Sequence, residues 1–344
     1  MRKKKPTIHE ISKALGISSA TVSRALNNSD ARISKETRKK VKKMAEKMGY
    51  QPNIVAASLR KGHSNIVGII VPFADRYFFS SIIRGVEEEL KKHDYNVIIC
   101  QSYESLQNEK DDINTLLSAQ VAGILISPSR ETEEVDHLIN VMERGKTLIM
   151  FDRTISDVPA PSVAVDDYHG AYNMVSNLIQ SGRKRIAFFT GNQNVSVFRA
   201  RQRGYISAMT EHGLEIPEEF MVRVRGFREN GVEATAHLMS LDHKPDAIFS
   251  VSDFSAFGAM QWLIQNGYNI PEDICVAGFG NDPFTDFITP TMSSIDQKSQ
   301  QMGKAAAQLF LEEMNEKSVE PKRLLLTPEI VLRDSTLHQN KVIA

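Results

Sequence analysis

The segment ISSATVSRALN, residues 17–27, combines short hydroxylated side chains with a single cation, Arg24. Serine and threonine hydroxyls hydrogen-bond phosphates or base edges, and arginine pairs bidentately with O6 and N7 of guanine. One face carries Ile17, Val22 and Leu26 at helical spacing and is predicted to be buried. The opposite face carries small and polar residues, namely Ser19, Ala20, Ser23, Arg24 and Asn27. A helix with so small an outer face fits closely into a major groove, so the segment predicts nucleic-acid recognition.

A second group of polar and aromatic residues follows the apolar runs of the later chain. Phe78 and Phe79 come after IVGIIV, and Asp152 with Arg153 comes after TLIMF. The segments GNQNVSVFRARQRG, Ser252–Asp253 and GNDPF follow three further apolar runs. Aromatic faces and converging hydrogen-bonding groups suit a small polar ligand in a cleft. Each of these residues taken alone is also compatible with an ordinary turn or helix cap.

Three short helices are predicted to position the recognition segment. The sequence TIHE is a capping box, in which Thr7 caps a first helix and Glu10 reaches back to it. Gly16 ends that helix, Ser18 can cap the second, and a third is expected over residues 34–49. Two short helices joined by a tight turn and followed by a third predict a helix-turn-helix head.

The segment YQPNIVAASLRKG, residues 50–62, predicts a short helix between Pro52 and Gly62. A helix this short does not persist alone in water. Two interpretations follow: an ordinary linker, or a hinge helix that becomes ordered when two copies meet on DNA. Composition alone leaves both open.

The remaining chain alternates short apolar runs with amphipathic stretches. The runs are IVGIIV (66–71), YNVIIC (95–100), VAGILI (121–126), TLIMF (147–151), RIAFFT (185–190), DAIFSV (246–251) and ICVAGF (274–279). Continuous hydrophobicity is typical of strands covered on both faces, and hence of a parallel sheet. Prolines interrupt the pattern in SDVPAPSVAVDD, residues 156–167. The expected fold class is an N-terminal all-α helix-turn-helix head plus an α/β core of two doubly wound parallel-sheet subdomains.

The net charge of zero is the sum of two opposite parts. Residues 1–62 hold 16 Lys and Arg against 4 Asp and Glu, which is +12, and residues 63–344 hold 26 against 38, which is −12. A basic end predicts a polyanionic partner, with a solvated basic tail as the alternative. No secretory signal or membrane-spanning run is present, and Cys100 and Cys275 are expected to be buried and reduced. These features predict a soluble cytoplasmic protein without a metal or cofactor.

Together these motifs resemble the LacI/GalR family of transcriptional regulators over about residues 6–335. TIHEISKALGISSATVSRALN is similar to the family's head motif, YQPNIVAASLRKG to its hinge helix, and the later chain to its periplasmic-binding-protein-like core. The corresponding organisation is a DNA-binding domain at 1–50, a hinge helix or linker at 51–63, a core at 64–335 and a tail at 336–344. The expected first subdomain spans about 64–162 plus 291–326, and the second about 163–290 plus 327–335.

The resemblance implies how the head and hinge would contact a palindromic DNA operator. Base edges would be faced by Ser19, Ala20 and Arg24, and phosphates would be held by Thr21, Ser23 and Asn27. Leu59 would wedge into the minor groove and partly unstack a base step. Asn53 and Arg60 would be further DNA contacts.

The resemblance also implies an effector site in the core. Its candidate residues are Phe78, Phe79, Asp152, Arg199, Phe227, Ser252, Asp253, Asn281 and Asp282. Arg199 would be the family's effector-binding arginine and Phe227 a stacking aromatic. Many members have an acidic residue directly after GF or GY, where this chain has Gly280. This departure argues against a simple pyranose as the effector, or else Asn281 or Asp282 would bind the sugar hydroxyls instead. The expected effector is a small polar molecule, a sugar or sugar derivative.

The tail after Arg333 holds no heptad array, so a homodimer is predicted. An effector in the cleft is expected to change the angle between the two core halves, and thereby the spacing of the two hinge segments. The expected function is a repressor that binds its operator as a dimer under allosteric control.

Two other classes of protein share this kind of core. A solute-binding transport component would need export and would have no use for residues 7–60. An enzyme would need a catalytic motif, and the sequence contains no G-x-S-x-G, Walker-type loop or metal-ligand cluster.

Overall fold

A computed structural model describes residues 6–26, 33–50, 64–316 and 320–337. The chain divides between Ser64 and Asn65 into two compact units, a helical head and an α/β core. Four predicted DNA contacts, together with the predicted hinge segment 51–63, lie outside the described residues: Asn27, Asn53, Leu59 and Arg60. Within the described ranges, no helix has both the length and the apolar character that crossing a bilayer requires.

The head consists of three helices, α1 (Ile8–Leu15), α2 (Ser19–Leu26) and α3 (Lys35–Met48). The predicted capping box is present, because the Thr7 side chain accepts from the Glu10 amide while the Glu10 carboxylate accepts from the Thr7 amide. Gly16 follows α1 with φ of 63°, in the left-handed region that glycine tolerates best. Ser18 accepts from the Thr21 amide at 3.1 Å and so caps α2. The local signals in the sequence are therefore sufficient to set these helix ends.

The head core is small and contains two alanines. Its fully covered side chains are Ile11, Val22, Ala25, Val41 and Ala45. Ile17 and Leu26 pack against this core but stay partly exposed. Small side chains on α2 and α3 let these two helices approach each other closely.

The first core sheet has six parallel strands in the order β11-β5-β4-β3-β1-β2. Its strands are β1 (Ile66–Val71), β2 (Asn96–Gln101), β3 (Gly123–Ile126), β4 (Thr147–Phe151), β5 (Ser162–Val165) and β11 (Arg323–Leu326). The helices that belong to this half are α4 (Tyr77–Lys91), α5 (Leu106–Ser118), α6 (Asp136–Glu143) and α11 (Ser299–Asn315). Apolar residues on the two sides of the sheet form separate clusters, so the central strands are covered on both faces.

The second core sheet has four parallel strands in the order β7-β6-β8-β9. Its strands are β6 (Ile186–Thr190), β7 (Met221–Arg223), β8 (Ala247–Ser250) and β9 (Cys275–Ala277). The accompanying helices are α7 (Asp167–Gln180), α8 (Ser196–Glu211), α9 (Arg228–Met239) and α10 (Asp253–Gln265), with short 3₁₀ turns at Glu218–Phe220 and Pro283–Asp286. The head and the two parallel sheets together confirm the predicted fold class.

The chain passes between the two subdomains three times. Strand β5 belongs to the six-stranded sheet although the expected boundary at residue 162/163 falls inside it. Strand β10 (Ser294–Asp296) pairs with β12 (Glu329–Val331), and Met292 and Ile295 lie in the apolar core of the second subdomain. Residues 291–297 therefore belong to the second subdomain, not to the first as expected, because their apolar side chains are buried there.

Candidate DNA-binding face and effector cleft

The predicted recognition helix α2 has one buried and one open side. Val22 and Ala25 are fully covered. Ala20 and Arg24, one helical turn apart, are exposed, while the predicted contacts Ser19, Thr21 and Ser23 are partly buried. The open side therefore presents a methyl group, hydroxyls and one guanidinium, which are groups able to read a groove.

A chain of hydrogen bonds links α1 to the Ser19 hydroxyl. The Ser12 hydroxyl donates to the His9 carbonyl at 2.9 Å, and its oxygen lies 3.1 Å from the Ser19 hydroxyl. Nδ1 of His9 lies 3.0 Å from that same Ser19 oxygen. Because Ser12 has already used its proton, its oxygen can accept the Ser19 proton. Ser19 is thus held by two partners on α1.

The core contains a cleft between its two subdomains. A cavity of about 210 Å³ there is lined by residues that follow the carboxyl ends of strands in both sheets. It adjoins a larger cavity of about 700 Å³, and the two share Arg130, Arg153, Phe198 and Ser252 among their lining residues. This is the place where open parallel sheets bind ligands.

Six of the nine predicted effector contacts line the 210 Å³ cavity: Phe78, Phe79, Asp152, Phe227, Ser252 and Asp282. The Phe78 and Phe79 rings meet edge to face with centroids 5.1 Å apart. Burial raises the pKa of Asp152, whose carboxylate accepts from the Ser127 hydroxyl at 3.1 Å. Burial also raises the pKa of Asp282 to about 6, against the opposing charge of Arg76. The cleft therefore combines aromatic faces with carboxyl groups whose pKa values are raised by burial.

Asp253 and Asn281 lie behind this lining and hold it in place. The Asp253 carboxylate accepts from the Ser294 hydroxyl at 2.5 Å and from the Asp282 amide at 2.8 Å. Burial, followed by the nearby Asp282, raises the pKa of Asp253 to about 7. A Cβ on Gly278 would come within 2.1 Å of the Asp253 carboxylate, so only glycine fits there. Asn281 is bonded to Ser294, Asp296 and Arg333.

Arg201, and not the predicted Arg199, lines the 210 Å³ cavity. Its guanidinium donates to Asp167, the Val251 carbonyl and Gln297 at 2.7, 2.7 and 2.8 Å, and lies 3.6 Å from the Phe279 ring centre. Arg199 is exposed, and its Nη1 donates to the carbonyls of Gln193 and Asn194. Helix α8 carries arginines at 199, 201 and 203, so the sequence does not show which of them points into the cavity.

Several lining residues were not predicted from the sequence. Arg76 stands over the rings of Phe227 and Phe254, with its guanidinium carbon 5.0 and 5.1 Å from their centres. Glu104 receives both Nη atoms of Arg153 at 2.7 and 2.8 Å, and the neighbouring guanidinium holds the pKa of Glu104 below its ordinary value against the effect of burial. Arg76 follows β1 and Glu104 follows β2 within a few residues, so the position of each after a strand was a usable signal. Among the described residues, no group of acidic, His or Cys side chains could hold a metal ion.

The fold and the two surfaces define a DNA-binding transcriptional regulator built from a helix-turn-helix head and a ligand-binding core. The model for bacterial regulatory proteins of the lacI family matches residues 7–53. The model for periplasmic binding proteins and the sugar binding domain of the LacI family matches residues 64–336. The chain belongs to the LacI family, whose members are regulators and not enzymes.

Relatives match almost end to end. The HTH-type transcriptional regulator RegA of Clostridium saccharobutylicum is 32% identical over 332 residues, which cover 96% of this chain and 99% of that protein. The HTH-type transcriptional repressor CytR of Escherichia coli K12 is 31% identical over 330 residues, 96% of each chain. The lac repressor dimer bound to operator and the anti-inducer ONPF superposes with a TM-score of 0.87 at 22% identity, covering 97% of this chain and 100% of that one, which shows the shared fold.

Proposed function

We propose that the protein is a repressor that binds a palindromic operator as a homodimer and is controlled by a small polar effector, a sugar or sugar derivative, in the core cleft. The observation that carries the proposal is the presence in one chain of an open recognition face on α2 and a two-subdomain cleft lined from both sheets. The description of the matched core family as a sugar binding domain supports the class of effector. Since DNA is the partner, the proposal includes a cytoplasmic location.

In the head, Ala20 and Arg24 would lie over base edges and Thr21 and Ser23 against phosphates. Ser19 would read a base as a hydrogen-bond acceptor. Its hydroxyl proton is directed to Ser12, and His9 can donate to the same oxygen, so the remaining lone pair faces outward. Such an acceptor favours the amino group of adenine or cytosine in the major groove.

In the core, Phe78 and Phe227 would supply apolar faces while Asp152, Asp282 and Ser252 would bond effector hydroxyls. Arg201 replaces Arg199 as the arginine of this cavity in the proposal. Asp253 and Asn281 would act as positioning residues, because their polar atoms bond the chain around the cavity and not the cavity itself.

A homodimer is supported by the free edge of the six-stranded sheet. Strand β2 is an edge strand, and its residues Ile98 and Ile99 are 37% and 43% exposed. An apolar edge of this kind is a pairing site that proteins normally cover. A second subunit would cover it and would bring two heads onto two half-sites.

Control would work through the three chain crossings between the subdomains. An effector that contacts both sides of the cleft stabilises one angle between the subdomains over the other. Typical allosteric coupling of about 1–3 kcal/mol changes affinity by roughly 5- to 150-fold, which is enough to alter operator occupancy.

The test is operator selection from random duplexes by purified full-length protein, followed by gel shift on the selected inverted repeat and on a scrambled duplex. We expect a preference for the inverted repeat, dimers in sedimentation, and loss of DNA binding on deletion of residues 1–62. Equal binding of both duplexes at every salt concentration would rule the proposal out. A protein that keeps all its activity after the deletion would instead be a solute-binding component.

A further inference from the structure

A third cavity, of about 310 Å³, lies beside the cleft and is lined from both subdomains. Its lining includes four arginines: Arg130 after β3, Arg153 after β4, Arg199 on α8 and Arg323 at the start of β11. No carboxylate belongs to the lining that the described residues provide. Arg130 and Arg153 also line the 210 Å³ cavity, so a single ligand can occupy both.

Two of the four arginines, Arg199 and Arg323, make no ion pair within the described part of the chain, whereas Arg130 and Arg153 share the Glu104 carboxylate. The charge of Arg153 is neutralised by Glu104, which binds its Nη1, and by Asp152, whose carboxylate lies 3.8 Å from its Nε. Arg199 is held by the neutral carbonyls of Gln193 and Asn194 at 2.8 and 2.9 Å, which fix the guanidinium without cancelling its charge. The core carries a net charge of −12 in sequence, yet it concentrates cations here.

The amino end of α8 adds to the positive potential. Val195 precedes this 16-residue helix and provides no side-chain cap, and Val195 and Ser196 both line the cavity. Uncapped amides at a helix start carry partial positive charge and bind anionic oxygens. The Thr154 hydroxyl lines the same cavity and can donate to the same ligand, whereas the Thr132 hydroxyl donates to Glu109 at 2.8 Å.

We infer that this cavity is an oxyanion subsite that takes a phosphate or carboxylate group. The inference rests on the proposed function, because the anionic group would belong to the effector in the adjoining cleft. The effector would then be a phosphorylated or acidic sugar. Fixed guanidinium groups and helix amides favour such oxygens, because charge-assisted hydrogen bonds are about twice as strong as neutral ones. A neutral sugar would leave the cations unpaired.

The test uses full-length protein and inorganic phosphate, with potassium chloride of equal ionic strength as the reference. Urea unfolding is followed by the fluorescence of Trp262, the only tryptophan, which packs against the core of the second subdomain. The variants are Arg199→Gln and Arg323→Gln, with Arg144→Gln on α6 as the matched control, since Arg144 bonds only Asn140 and lies outside the cavity.

We expect phosphate to stabilise the wild type and Arg144→Gln equally. Arg199→Gln and Arg323→Gln should each weaken the apparent phosphate affinity about tenfold, the loss expected for one charge-assisted hydrogen bond. The basic head is identical in all four proteins, so the difference belongs to the cavity. The inference is overturned if phosphate acts no better than chloride, or if all three variants respond alike.

Glucose, glucose 6-phosphate and glucuronate then distinguish the source of the anion. Tighter binding of the phosphate ester assigns a phosphorylated sugar, tighter binding of glucuronate assigns a sugar acid, and a response to inorganic phosphate alone assigns free phosphate. The subsite is contradicted if glucose binds as tightly as glucose 6-phosphate and glucuronate, and if Arg199→Gln changes none of the three affinities. Failure of the proposed function would look different, because operator binding would be lost while arginine-dependent phosphate binding remained.

Discussion

The head and the core use charged residues in opposite ways. In the described part of the head, every fully buried side chain is apolar, and the lysines and arginines of that part are exposed or partly buried. The core is acidic in sum, yet it buries Asp167 against Arg201 and keeps Asp152 and Asp253 inside. DNA recognition by the head therefore depends on which side chains lie at its surface. The cleft depends instead on charged pairs, whose attraction is strong because they are buried.

The largest change in stability is expected when the Arg201 guanidinium is removed, and this change tests the comparison most directly. Arg201→Met leaves Asp167 buried without its partner, so we expect a loss of about 3–5 kcal/mol in the free energy of unfolding. Urea unfolding followed by Trp262 fluorescence measures it. Arg199→Met, two residues away but exposed, should change stability by less than about 0.5 kcal/mol. Equal losses in both variants would show that burial does not separate these arginines.

A smaller effect is expected at the surface of the head. Arg24→Lys keeps the charge but cannot pair bidentately with guanine, so we expect specific binding to weaken by about 1–3 kcal/mol. Binding to scrambled DNA and the salt dependence should stay unchanged, as measured by gel shift over a salt series. Arg24→Ala should also reduce the salt slope by about 1. A lysine variant that keeps full specificity would mean that Arg24 contacts only phosphates.

The pH dependence of core stability sharpens the comparison further. Burial raises the pKa of Asp167 and Asp282 to about 6 and that of Asp253 to about 7, from an ordinary 3.8. The folded core therefore holds these protons more tightly than the unfolded chain, and this stabilisation is lost as the pH rises through about 6 to 7. We expect the free energy of unfolding to fall by an amount on the order of 1 kcal/mol between about pH 5 and pH 8.

Urea unfolding across this pH range measures the effect, and Asp253→Asn serves as the comparison because it cannot ionise. Its profile should be flatter than that of the wild type. A wild-type core whose stability rises over the same range would contradict the raised pKa values.

The smallest effect concerns the hydroxyl chain on α1. Ser12→Ala frees the Ser19 proton, so Ser19 could donate as well as accept, and discrimination at one base position should relax about two- to threefold. Competition binding with single-base operator variants measures this. Ala14→Ser, which adds a hydroxyl on the exposed side of α1, is the control and should change nothing. Unchanged preferences in Ser12→Ala would mean that Ser19 does not read a base.

Much of the fold could be predicted because its signals are local. The continuous apolar runs became strands at nearly the expected positions, and Thr7, Gly16, Ser18 and Gly49 end or begin helices as predicted. The strands that were missed are short: β5 and β11 have four residues each, and β7, β10 and β12 have three each. Three or four residues give too little periodicity, and their pairing depends on chain segments far away in sequence.

By itself the sequence determined the helix-turn-helix head and the tandem parallel sheets, and it predicted six of the residues that line the 210 Å³ cavity, because hydrophobic period, caps and strand ends are properties of neighbouring residues. Only the tertiary structure decided that Arg201 lines the cavity of about 210 Å³ while Arg199 lines the cavity of about 310 Å³, and that the Asp253 carboxylate accepts from the Asp282 amide behind the cleft lining. It also brought together the four arginines of the 310 Å³ cavity from positions 130 to 323. Which way a side chain points, how deeply it is buried and which other side chains it meets are decided when distant segments pack together. A local sequence pattern does not show these properties.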